Sequence, residues 1–290
     1  MRALKALTLL ALMLPAVAAL ADCAPRSLRL AVIPLKGAEA MLRENQPLLQ
    51  RLSEATGVPV ELVVAPSYEG VVDAIVSGGA DIARLGPASY VLAHRRDPQV
   101  EAFATFTLSA GPYTPAGNHY QALLLTRSPG PADLTALRGK RVALSDPAST
   151  SGSLVPSVEF AAQVTTPLQR YFGALVYAGT HDKALQALLE GRVDAAFVAS
   201  ERADAYLASQ AIDPAGLQVL WRSAPIYYDP YVFRANLCPA LKARIRHAML
   251  DDPEALAAFA HSQDASGLVA VSHAEYAALE RMMDAALEPR

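Results

Sequence analysis

The chain has 290 residues, a formal net charge of −3 at pH 7 and 52% hydrophobic residues. That balance excludes a broadly basic nucleic-acid binder, and no basic run with interleaved aromatics appears. It leaves ample apolar material for a packed core, and the six histidines show no His-x-x-x-His or Cys/His spacing that would mark a metal centre.

Residues 1–21 read as a secretory signal. Arg2 and Lys5 are followed by an apolar run from Ala6 to Leu14, then Pro15, then Ala19-Leu20-Ala21 as an Ala-x-Ala cleavage site. Export to an oxidising compartment allows Cys23 and Cys238 to pair, and two unrelated thiols are the open alternative. Asp22 is not the small residue that precedes a lipidated cysteine, so a soluble product is expected over a lipoprotein. No later stretch is apolar for long enough to span a membrane.

Leu28 to Pro34 predicts a first strand. Met41, Leu48, Leu49 and Leu52 fall at helical spacing across 38–56, and Gly57 ends that helix. Residues 60–64 predict a second strand, 68–77 a short helix, and 81–85 a third strand that turns at Gly86-Pro87-Ala88-Ser89 into another helix. This alternation predicts a mainly parallel sheet flanked by helices. Residues 103–108 and 120–126 predict two more strands. Composition then shifts to Ser-Pro-Gly-Pro, which places a lobe boundary near Thr126. Residues 22–126 are then the first part of lobe 1, 127–222 lobe 2, and 223–290 a crossing back with the rest of lobe 1. Strands are expected at 142–144, 175–177, 194–198 and 217–221, with a helix over 180–189 capped by Thr180. The carboxy-terminal part shows helices at 239–250, 253–259 and 273–287 and little strand signal.

Between the strand at 141–145 and the helical segment after Leu154 lies Asp146-Pro147-Ala148-Ser149-Thr150-Ser151-Gly152-Ser153. A helix start has unpaired N–H groups and a positive dipole end. Three adjacent hydroxyls add donors, and Gly152 permits close approach, so the stretch is a candidate oxyanion cradle. It is equally an ordinary N-cap. Two α/β lobes joined by two crossings leave a cleft beyond the carboxyl ends of their strands. Tyr68, Ser89, Tyr90, Ser149, Thr150, Ser151, His181, Glu201 and Asp229 fall there. Each has a plainer reading: His181 as surface at a helix start, Glu201 and Asp229 as solvated charges, the tyrosines as core or rim aromatics.

Asp146-Pro147-Ala148-Ser149-Thr150-Ser151-Gly152 resembles the hallmark of the phosphate/phosphite/phosphonate-binding proteins of bacterial ABC importers. Gln46-Pro47-Leu48, Tyr68-Glu69-Gly70-Val71, Leu85-Gly86-Pro87-Ala88-Ser89-Tyr90, Gly179-Thr180-His181-Asp182 and Asp229-Pro230 follow in the family's order. The resemblance implies a type II periplasmic binding-protein fold, with mainly parallel sheets flanked by helices and a ligand cleft between two closing lobes. It implies a periplasmic, monomeric protein with no cofactor, a small phosphorus oxyanion as ligand and a membrane ABC permease as partner. Ser149, Thr150, Ser151 and His181 then correspond to the anion-site residues, Tyr68 and Tyr120 to the other lobe's contribution, and Glu201 and Asp229 to the positions that hold an amine. Around Asp229 the chain departs from the family: Ser223-Ala224-Pro225-Ile226-Tyr227-Tyr228 brings two tyrosines where smaller residues are usual.

Two other functions compete. A Ser149–His181–Asp229 hydrolase has the right residue types, but no Gly-x-Ser-x-Gly elbow is present, and three hydroxyls suit a multi-oxygen anion better than one nucleophile. A periplasmic sensor for the same anions would need a separate membrane partner.

Overall fold

The structure is a computed structural model and describes residue 23 and residues 25–287. The signal expected at 1–21 lies outside the described residues. Among those described, no helix is long and apolar enough to cross a membrane.

Two sheets organise the chain. The six-stranded sheet runs, in spatial order, Ala265–Ala270, Glu101–Leu108, Tyr231–Phe233, Ile82–Arg84, Leu28–Val32, Val60–Val64. Leu28–Val32 pairs in parallel with both Val60–Val64 and Ile82–Arg84, as the β-α-β alternation requires. The five-stranded sheet runs Leu217–Arg222, Ala122–Arg127, Ala195–Ala199, Arg141–Leu144, Ala174–Tyr177, the last three parallel.

Strand periodicity divides the cores. Leu28, Leu30 and Val32 face one side of the first sheet and pack with Met41, Leu48 and Leu52 of the helix Ala38–Thr56. Ala31 and Ile33 face the other side, with Val71 and Ile75 of the helix Tyr68–Val76 and Val91 of the helix Pro87–Arg96. In the second sheet Leu123 and Leu125 meet Leu185 and Leu188 of the helix His181–Leu189. Leu124 faces the opposite side, where Phe160, Phe197 and Trp221 meet edge to face.

Three sequence expectations are corrected. The run expected as one strand over 120–126 is two: His119–Tyr120 and Ala122–Arg127. The longer one belongs to the five-stranded sheet, so the chain leaves the first sheet after Leu108 and not near Thr126. Two apolar strands in succession look like neighbours in sequence, and only pairing assigns them to different sheets. The strand Ala265–Ala270 was invisible because Ala-Ser-Gly-Leu-Val-Ala lacks alternation; it is specified by its antiparallel partner Glu101–Leu108. The two crossings lie side by side, His119–Tyr120 pairing antiparallel with Ile226–Tyr227.

Cys23 and Cys238 form a disulfide, with Cα atoms 5.3 Å apart and a sequence separation of 215. It ties the start of the described chain to the head of the helix Pro239–Leu250, which packs on Ala38–Thr56. Closing so long a loop restricts the unfolded chain. Substituting both cysteines by serine is expected to lower unfolding free energy by about 2–5 kcal/mol, read as a reduced urea midpoint.

Candidate ligand cleft

A small cavity opens between the carboxyl ends of the two sheets. Eight of the ten expected site residues line it: Tyr68, Tyr120, Ser149, Thr150, Ser151, His181, Glu201 and Asp229. Ile33, Leu35, Gly86 and Ala199 complete the wall. No lysine or arginine does.

The hydroxyl turn is built by its own local bonds. Asp146 Oδ1 accepts the Ala148 N–H at 2.8 Å, and the Asp146 carbonyl accepts the Ser149 N–H at 2.9 Å. Ser149 is the N-cap: its Oγ accepts the Gly152 N–H at 3.2 Å. Capping and cavity lining are therefore not alternatives; one residue does both. The helical run that follows is π-type over Thr150–Leu154 and Pro156–Phe160, with Leu154 N–H reaching the Ser149 carbonyl. Such wide turns recur at functional positions. Gly152 is required here. A Cβ on it would lie against Ser145 Oγ and 3.0 Å from His181 Cε1.

Thr150 also joins the two sheets' elements. Its Oγ1 accepts the Ala88 N–H at 2.9 Å, at the head of Pro87–Arg96. Ser89, expected in the site, does not line the cavity; its hydroxyl donates to the Ala148 carbonyl at 3.0 Å. Tyr90 is also a correction. One residue further along the helix, its side chain turns away, and its hydroxyl meets His273 Nδ1 at 3.1 Å. Adjacent helix positions diverge by roughly 100°, which a count of polar residues after a strand ignores.

Opposite the hydroxyl turn, Tyr68 is buried, and its hydroxyl is sealed from solvent with no protein partner. Burial raises its pKa well beyond the phenol range, so it stays a donor. Tyr120 is held protonated in the same way. Tyr227 and Tyr228 do not narrow the cavity. Tyr228 packs edge to face on Tyr120, and its hydroxyl accepts from Arg84 Nη2 at 3.0 Å. Tyr227 covers His119 at the crossing.

His181 is buried at the head of its helix. Its Nδ1 lies 2.8 Å from Ser145 Oγ and 3.2 Å from the Ala199 N, and its Nε2 lies 3.3 Å from Ser149 Oγ. Burial, with Arg202 nearby, lowers its pKa to about 3. A cationic His181 is thus disfavoured. No carboxylate touches the ring, so the Ser149–His181–Asp229 triad is not assembled.

The two carboxylates differ. Asp229 faces Arg84 Nη2 at 3.8 Å; burial raises its pKa to about 6, opposed by Arg84 and Arg202. Arg84, the last residue of its strand, stands behind the cavity wall against Asp229 and Tyr228, and nothing in Ile-Ala-Arg-Leu marks it for that place. Glu201 is partly exposed as a residue, but its Oε2 atom is sealed and unpartnered. Burial, then Asp229, pushes its pKa up to about 8. A carboxyl raised on folding contributes stability while protonated and loses it as pH rises toward the folded pKa. Between pH 6.5 and 8 that loss belongs to Glu201, because His181 and Asp229 change charge at lower pH. The wild-type Tm is therefore expected to fall across that window, and Glu201→Gln to remove most of the fall, in calorimetric scans at both ends.

A model of the family described as "ABC transporter, phosphonate, periplasmic substrate-binding protein" matches residues 30–276. The chain is 29% identical over 221 residues to the phosphate-import protein PhnD of Mycolicibacterium smegmatis, covering 73% of this chain and 67% of that protein. It is 29% identical over 225 residues to the phosphonates-binding periplasmic protein of Escherichia coli, covering 76% of this chain and 64% of that one. The chain thus spans about two thirds of the length of these relatives. Among solved structures, PhnD1 of Prochlorococcus marinus in complex with methylphosphonate superposes with a TM-score of 0.79 at 15% identity, over 90% of this chain and 98% of that one. That likeness is one of fold, the two-lobed type II periplasmic binding architecture. The chain belongs to the periplasmic substrate-binding proteins of phosphonate ABC transporters.

Proposed function

We propose that this chain binds a phosphonate or a closely related phosphorus oxyanion in the cavity, between two lobes that close on it. It then presents the ligand to the membrane permease of an ABC importer. The two sheets with their helices are the lobes, and the paired strands His119–Tyr120 and Ile226–Tyr227 are the hinge. Exported by the segment at 1–21, it works as a soluble monomer.

One observation carries the reading. The Tyr68 hydroxyl is buried and unpartnered, and it faces the same cavity as Ser149, Thr150, Ser151 and His181. A buried donor left unmatched costs about 1–3 kcal/mol, and an oxyanion with several oxygens repays it across both lobes at once. Ligand shifts the population toward the closed form by bridging the two halves. The same wall serves a sensor of the same anions, with a different membrane partner.

Glu201 supports a more specific ligand. Its unpartnered Oε2, with Asp229 beside the same cavity, suits the ammonium of an aminoalkyl phosphonate, whose positive charge would favour the ionised form of Glu201. The test is titration calorimetry against 2-aminoethylphosphonate, methylphosphonate, phosphite, phosphate and sulfate. Tightest binding of the aminoalkyl ligand, weakened by Glu201→Gln, is expected. Preference for phosphite or phosphate would keep the oxyanion site and remove the amine. Binding of none would overturn the ligand class.

A further inference from the structure

We infer that Ser145 and the Ala199 amide lock His181 in the neutral tautomer that carries its proton on Nε2, which makes Ser145 a positioning residue for an uncharged donor in the cavity. A backbone N–H can only donate. The Ala199 N–H, 3.2 Å from Nδ1, therefore requires a lone pair on that nitrogen. Ser145 Oγ, 2.8 Å from the same atom, then donates as well. A neutral imidazole whose Nδ1 accepts has its hydrogen on Nε2, and that nitrogen faces the Ser149 side of the cavity.

The fold supplies both donors. Ser145 follows Arg141–Leu144, and Ala199 ends Ala195–Ala199; these strands are parallel neighbours. Their two ends therefore reach the head of the helix His181–Leu189 together. Gly152 keeps the hydroxyl turn close enough to pack on both Ser145 and His181.

Protonating the ring would set an Nδ1–H against the Ala199 N–H. The surrounding charges add to this. Arg202 sits near the ring and is itself held by Asp182 at 2.7 and 3.0 Å. Asp229 is matched by Arg84, and Glu201 also lines the cavity but makes no hydrogen bond to the ring. Tyr68 and Tyr120 stay protonated. The ring accordingly offers a hydrogen bond without a charge, and its hold on an anion does not titrate near neutrality.

The proposal concerns the ring itself and uses the phosphonate reading only for its affinity arm. The decisive measurement is the two-bond ¹H–¹⁵N spectrum of the histidine rings in ¹⁵N-labelled protein from pH 5 to 8, with His181→Gln to assign the signal. The expected result is the Nε2–H pattern, unchanged over that range. An Nδ1–H pattern, or an imidazolium forming within it, overturns the proposal. Ser145→Ala should bring tautomer mixing and weaken methylphosphonate binding by up to about tenfold, one net hydrogen bond. A variant whose ring keeps the wild-type pattern removes the role of Ser145. If methylphosphonate does not bind the wild type, the ligand reading fails while the spectrum still decides the tautomer.

Discussion

Replacing Ser149, Thr150 and Ser151 together by alanine is expected to weaken phosphonate binding more than a thousandfold. Each hydrogen bond to a charged group contributes about 1.5–3 kcal/mol, and three hydroxyls leave one wall of the cavity. Calorimetry reads the loss directly. The substitution also removes the Ser149 cap, which costs the fold about 1 kcal/mol. Ser149→Gly separates the effects, because glycine at an N-cap costs only a few tenths of a kcal/mol while still removing the hydroxyl. Unchanged affinity in the triple variant would remove the hydroxyl turn from the site.

Gly152→Ala is the second large effect, and its origin is steric. The added methyl would lie against Ser145 Oγ, 2.5 Å from Ser145 Cβ and 3.0 Å from His181 Cε1. Ser145 cannot swing away, because its Cβ is fixed to a backbone that also donates to the Gly152 carbonyl at 3.2 Å. The turn must back out or the strand end must shift. Overpacking of this kind costs about 1–3 kcal/mol, and here it displaces three cavity residues at once. A lower Tm with binding lost in calorimetry is expected. A variant that binds like wild type would mean that the turn and His181 need not be in contact.

The helix Ala38–Thr56 was legible to its last residue, because apolar spacing and a terminal glycine state the same boundary. The convergence of Tyr68, Ser149, Thr150, Ser151, His181, Glu201 and Asp229 on one cavity was legible too, since parallel strands deliver their following residues to one edge. What escaped is what pairing and rotation decide. Ser89 and Tyr90 share a strand-to-helix turn with the cavity but point elsewhere. Ala265–Ala270 is a strand through its partner and not through its own pattern. Arg84 and Ser145 act from behind the wall, and no local motif announces a residue whose work is to hold another.

The two contacts across the cleft have a thermodynamic consequence. Ala88 N–H to Thr150 Oγ1 and Ser89 Oγ to the Ala148 carbonyl join the two halves through protein atoms alone. In the closure we propose, some of the free energy therefore comes from contacts between protein atoms and not from the ligand. Observed affinity then combines what the cavity grips with how strongly the two halves hold each other. Ser89, which never reaches the cavity, becomes a place where a substitution retunes the importer's working concentration range and leaves its chemical selectivity alone.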